Sequence, residues 1–209
     1  MAERPTWRGL LHWWAFVAAI PAGVILIVGS AGAAGRTAAS IYTGALLAGF
    51  GTSAAYHRLA HSYRARKIMQ RLDHSTIYLL IVGTYAPICL VAMPTEWGIS
   101  LLAVVGSFGL LGIIINLAAI RRLEWLGYAL YPIMGWVALP FAPVMADHLT
   151  PLQIVLIVGG GIAYTIGFPI LLVRRPDPWP NVFGYHEVWH GFTVVAAALH
   201  FGAVAMLVG

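Results

Sequence analysis

The chain has 209 residues, of which 60% are hydrophobic and 9% charged. A soluble domain carries about 25% charged residues, so this chain lacks the polar surface that water demands, and the bilayer is its natural solvent. The net charge of +5 raises nucleic acid as a partner, but the basic residues fall between apolar runs, which is the signature of membrane topology; no nucleic-acid partner is expected.

A helix that crosses the hydrocarbon core needs about 20 apolar residues. Seven candidate spans follow in chain order, the first over residues 11–33. That run has spanning length and exceeds the core of a signal peptide, so no cleavable leader is expected. The second span covers residues 40–57 and ends in "GTSAAYHR". A basic loop follows, and "RLDHSTIYLL" leads into the third span at 75–93. The fourth covers 99–120. The fifth, 125–146, contains Pro132, Pro140 and Pro143, which remove backbone donors and should kink or unwind it. The sixth covers 152–173 and the seventh 185–208, opening with "YHEVWH". The loops between spans are short, so neighbours should pack antiparallel. The expected fold is all-α: one polytopic membrane domain over residues 1–209, a seven-transmembrane helix bundle. The one cysteine, Cys89, permits no internal disulfide.

Lys and Arg set orientation. With seven spans, Arg4, Arg8, the cluster from Arg58 to Arg71, Arg121, Arg122, Arg174 and Arg175 share the side of the N-terminus, and only Arg36 falls on the other. This asymmetry implies a cytoplasmic N-terminus and an odd number of spans.

Ionisable residues inside spans are costly and point to function. The charge bias brings three helix ends to one depth: the end of the second span with His57, the start of the third with Asp73, and the start of the seventh with His186 and His190. Ser53 lies one turn from His57 on the same face. "HEVWH" matches H-E-x-x-H, in which two histidines bind zinc and the glutamate is general base. The rest of a zincin is missing. No acidic residue follows Glu187, and Thr193 and Ala196 stand where the extended form needs Gly and His. The third ligand must then come from upstream, and His57 is the candidate. Three histidines suit Zn²⁺ and leave a fourth position open, as in catalytic zinc sites. Asp73 fits the role of the base that holds a water and takes its proton, and Ser53 that of a hydrogen-bond donor to a developing oxyanion. Taken singly, each has an ordinary explanation: an interfacial His57, a capping Asp73, a helix-packing Ser53. His12, near the start of the first span, reads as secondary. His200, deep in the seventh, reads as a helix-packing histidine.

The stretches "SAAYH" at 53–57, "RLDHSTIYLLIVGTYAP" at 71–87 and "FGYHEVWHGFTVVAAALHF" at 183–201 resemble the hemolysin III proteins, the bacterial branch of the progestin and adipoQ receptor family. With the spans, the resemblance covers essentially the whole chain. It implies a seven-helix bundle in the bacterial plasma membrane, with the N-terminus and a zinc site near the cytoplasmic face. His57, His186 and His190 match the zinc ligands, Asp73 the aspartate near the zinc-bound water, and Ser53 the serine one turn before the first histidine. Glu187 matches no assigned role. The family is also similar to alkaline ceramidases, which implies zinc-dependent hydrolysis of lipid amides; its receptor members sense adiponectin or steroids. With a short N-terminus ahead of the first span, no sizeable receptor-like cytoplasmic domain is expected, which favours an enzyme or a membrane-homeostasis protein.

The expected function is therefore hydrolysis of a lipid amide or ester by zinc-activated water, with a membrane lipid as substrate or ligand. Two alternatives stay open: a non-enzymatic sensor or regulator of membrane state with structural zinc, and a haemolysin-type pore former. The sequence offers no amphipathic pore helix beyond the bundle, which places the last reading behind the others.

Overall fold

The structure, a computed structural model, describes residues 5–209; Arg4, counted above among the orienting charges, lies outside the described residues. The described chain is helical, with one isolated β-bridge between Trp179 and Phe183. In order the helices are α1 (Leu10–Gly29), α2 (Gly32–Leu59), α3 (Tyr63–Pro87), α4 (Thr95–Leu117), α5 (Glu124–Trp136), α6 (Ala142–His148), α7 (Pro151–Val173) and α8 (Tyr185–Val208). A π-helical turn, Ile88–Ala92, extends α3 beyond Pro87.

Local chemistry explains the starts. The Ser62 hydroxyl accepts from the Ala65 amide and caps α3. At α7, Thr150 and Gln153 form a reciprocal capping box, and Pro151 supplies the fixed φ of a first turn. At α8, Glu187 accepts from the Gly184 amide at 2.9 Å, and Asp177 accepts from the Tyr185 amide at 2.9 Å.

Two departures from the sequence expectation are instructive. Six helical segments among the described residues are long and apolar enough to cross a membrane, so seven is one too many by that measure. The segment that falls short contains the expected second span. Helix α2 has 28 residues, rich in Gly, Ala, Ser and Thr with Arg36, His57 and Arg58. Such small residues are favoured where helices press against helices instead of lipid, and α2 buries Ala38, Ala39, Tyr42, Ala45, Leu46 and Ala54. It runs the length of α8: His57 meets His186 at one end, and the Ala31 amide donates to Val208 O at 2.7 Å at the other. The second departure is the start of α3. The helix begins at Tyr63, twelve residues before the expected span, so Asp73 is an interior residue of a helix that Ser62 caps. Hydropathy finds only the lipid-facing part of a helix; Arg, Lys, Gln, Met and Leu in residues 63–72 favour the helical backbone without being apolar.

The prolines of the expected fifth span do interrupt it. Helix α5 ends at Trp136, a 3₁₀ turn covers Leu139–Phe141, and α6 follows. Pro132 lies within α5 without ending it. The free carbonyls at the end of α5 are not left bare: the Tyr85 hydroxyl donates to Met134 O at 2.9 Å.

Packing divides into two apolar clusters. One joins α3, α4 and α5 through Tyr78, Tyr85, Leu101, Val105, Leu130 and Met134. The other joins α1, α2 and α8 through Leu26, Tyr42, Leu46, Phe50, Ala197 and Val204. Helix α8 packs on α7, α1 and α2 and also reaches α3. That central position brings its first turns against residues from the rest of the bundle.

Candidate metal centre

The site lies where the start of α8 meets the end of α2 and the third turn of α3. His186 and His190 are one turn apart on one face of α8, and His57 faces them from α2. One ligating atom from each of His57, His186 and His190 lies within 4.8 Å of the others. The His57 and His186 Nε2 atoms are 3.2 Å apart. Asp73 Oδ2 stands 4.0 Å from His57 Nε2, and Ser53 lies buried one turn before His57 on the same face of α2. All five residues singled out in the sequence are thus neighbours. Three imidazoles converging in a buried place can hold a metal ion.

A turn with a special backbone presses α1 against this group. Gly9, just before α1, has φ of 80°, which a side chain would strain. A Cβ added there would sit 2.6 Å from the His57 Cβ, so only glycine lets the chain pass so close to the ligand helix.

Three further features escaped the sequence reading. First, His12 belongs to the site. Its ring stacks on His190 with centroids 3.7 Å apart. Its Nδ1 lies 2.8 Å from Ser53 Oγ and its Nε2 2.8 Å from Thr193 Oγ1. His12 therefore ties α1 to the serine of α2 and to α8. The signal lies in the sequence: the first and seventh spans start at the same end, which puts His12 at the depth of His186. Second, Thr193 links the ring to the helix by donating to His190 O at 2.8 Å. It stands where an extended zincin has glycine, and it serves as an orienting partner. Third, Glu187 does not face the histidines. It is fully buried, accepts from the Gly184 amide and pairs with the guanidinium of Arg8. The central glutamate of the H-E-x-x-H pattern is a helix cap and a salt-bridge partner in this chain.

The other histidine of α8 has a different setting. His200 Nε2 lies 3.1 Å from Ile157 O, and its ring rests on Gly160, where an added Cβ would be 2.3 Å from ring atoms. That is the helix-packing role expected for it.

Comparison with known proteins places this geometry in a family. The family model described as haemolysin-III related matches residues 1–201. Hemolysin-3 of Bacillus cereus is 30% identical over 204 residues, covering 96% of this chain and 90% of its own length. The Hemolysin-3 homolog of Bacillus subtilis is 29% identical over 200 residues, covering 94% and 91%. The adiponectin receptor protein of Drosophila melanogaster is 23% identical over 183 residues, covering 79% of this chain and 41% of its own. With a match along nearly its whole length and a bundle of long apolar helices, the chain belongs to the haemolysin-III related family, relatives of the adiponectin receptors, and is an integral membrane protein.

Proposed function

We propose that this protein is a zinc-dependent hydrolase of a lipid amide or ester bond. The observation that carries the proposal is a carboxylate, Asp73, standing 4.0 Å from one member of a three-histidine cluster in which His57 and His190 are buried and His186 is half-buried. The donor set fits zinc: three imidazoles are a known catalytic zinc shell. His190 Nδ1 is buried with no hydrogen-bond partner among the described residues, a deficit that ligation at that atom answers. Held by His57, His186 and His190, zinc supplies Lewis acidity toward a carbonyl oxygen and acidifies water at neutral pH.

The chain's own residues do the rest. Asp73 holds the attacking water at its carboxylate and takes the proton at Oδ2. Ser53 offers a hydrogen bond to the substrate oxygen that gains charge. That role needs the Ser53 proton to be free of His12, which holds in the His12 tautomer protonated at Nδ1. In that tautomer His12 donates to Ser53, and Thr193 must turn its one hydroxyl proton from His190 O to His12 Nε2. Stacking on His190 keeps His12 fixed while this happens.

We place the protein in the bacterial plasma membrane with its N-terminus and site on the cytoplasmic side, on the strength of the Lys and Arg distribution. A membrane lipid is the substrate, its head at the histidine cluster and its acyl chains between helices. The test is metal content of the purified protein joined to hydrolysis of a broad lipid panel. Stoichiometric zinc with turnover that Asp73→Asn removes supports the reading; zinc without hydrolysis of any panel member counts against it.

The depth of burial favours one rival, a non-enzymatic sensor or regulator in which zinc ties α2 to α8. His57 is 7% exposed and His190 2%. In that case Asp73→Asn leaves function intact, and the histidine variants unfold.

A further inference from the structure

A second polar site lies on the far side of α3. A cleft of about 470 Å³ opens between α3, α4 and the turn before α5, lined by Lys67, Arg71, Arg121, Asn116, Glu124 and Tyr128, among others. Its two walls are fastened: the Tyr131 hydroxyl donates to His74 O at 3.0 Å, and the Tyr78 hydroxyl donates to Gly127 O at 2.8 Å. The cations come from separate elements, Lys67 and Arg71 one turn apart on α3 and Arg121 from the segment after α4. Among the described residues none of the three makes a side-chain hydrogen bond or an ion pair, and Glu124 is in no ion pair. Three unneutralised cations and one carboxylate leave the cleft net positive. Charges gathered at one cavity repel each other, and a fixed geometry that gathers them suits a multivalent anion. Two guanidinium forks and an ammonium match phosphate oxygens, with Asn116 and Tyr128 as further polar partners.

The surroundings choose the source of that phosphate. Ile68 and Leu72 on α3, and Leu117 and Ile120 at the end of α4, stand exposed beside the charged lining. An apolar skirt next to a basic pocket at the end of membrane helices fits a lipid, with its phosphate in the cleft and its chains along the helices.

We propose that the cleft between α3, α4 and α5 binds the phosphate headgroup of an anionic membrane lipid, at a site separate from the histidine cluster.

The test uses the full chain purified in detergent. Native mass spectrometry with equal phosphatidylglycerol and phosphatidylcholine reads lipid retention, and a thermal-shift series with inorganic phosphate reads binding of the free anion. Wild type is expected to retain phosphatidylglycerol in preference. Lys67→Gln with Arg121→Gln, both solvent-exposed and so compatible with folding, should weaken retention about 25-fold, at about fivefold per cation. Glu124→Gln should strengthen it. Arg64→Gln, on the same helix but outside the cleft, should leave it unchanged. Equal retention of both lipids by wild type overturns the proposal. So does equal weakening by Arg64→Gln, which marks general surface charge. Stabilisation by inorganic phosphate with no lipid preference overturns the lipid assignment.

Discussion

The two halves of α8 each bury histidine, and they handle it in opposite ways. In the C-terminal half, His200 lies against Gly160 and meets a backbone carbonyl of α7. One ring, one small residue and one acceptor make a packed arrangement with no second histidine near it, although His200 Nδ1 has no hydrogen-bond partner among the described residues. In the N-terminal half, His186 and His190 turn toward His57, and His12 stacks behind them. His57 and His186 can share one hydrogen bond at 3.2 Å, but that pairing does not account for a third ring converging on the same point. Within a single membrane helix, then, the identity of the residue says less than what it is aimed at.

The sharpest way to break this contrast is to remove a ring from each half. His186→Ala should abolish stoichiometric metal binding, while His200→Phe should leave it intact; elemental analysis of both purified variants decides. If both lose metal, the two halves are not distinct. Next, Asp73→Asn should retain metal and lose about 10²- to 10⁴-fold in hydrolysis, the usual range for a general base. Glu187→Gln, in contrast, should keep metal and the chemical step and act on stability. Truncating the same residue to Ala leaves Arg8 without its partner and should destabilise the fold by about 3 kcal/mol, read from a denaturation midpoint. Loss of turnover in Glu187→Gln with unchanged stability would restore the zincin assignment. His12→Phe keeps a ring against His190 and removes both hydrogen bonds, so metal affinity should fall by about 10- to 100-fold, as for other orienting partners of metal ligands; isothermal titration with zinc measures it. The smallest effect is expected at Gly160→Ala, where overpacking against His200 should destabilise by about 1–3 kcal/mol with metal binding unaltered.

Much of this site was legible in one dimension. The spacing of His186 and His190 fixes a common face, and the bias of Lys and Arg brings Asp73 and His57 to their depth. What periodicity cannot show is which face of one helix meets which face of another. Arg8 and Glu187 are 179 positions apart, and nothing in either neighbourhood announces the other. His12 read as secondary because it stands alone near the start of the first span; its partners come from α2 and α8. The count of spans erred for a related reason. Hydropathy measures affinity for lipid, and α2 is a helix whose neighbours are mostly protein. The start of α3 was missed because its first turns are cationic, and those turns form one wall of the basic cleft.

The contribution of α1 to the cluster also sets a timetable. A ribosome adds about 5–20 residues per second, so the 179 positions between Arg8 and Glu187 represent roughly 10–40 s of synthesis. Through that interval Arg8, His12 and His57 wait at the end of a half-built bundle. A chain stopped anywhere before residue 186 holds at most one member of the histidine trio and only the Arg8 end of the Glu187 pairing. On the proposed reading, metal can load only once the final helix has arrived.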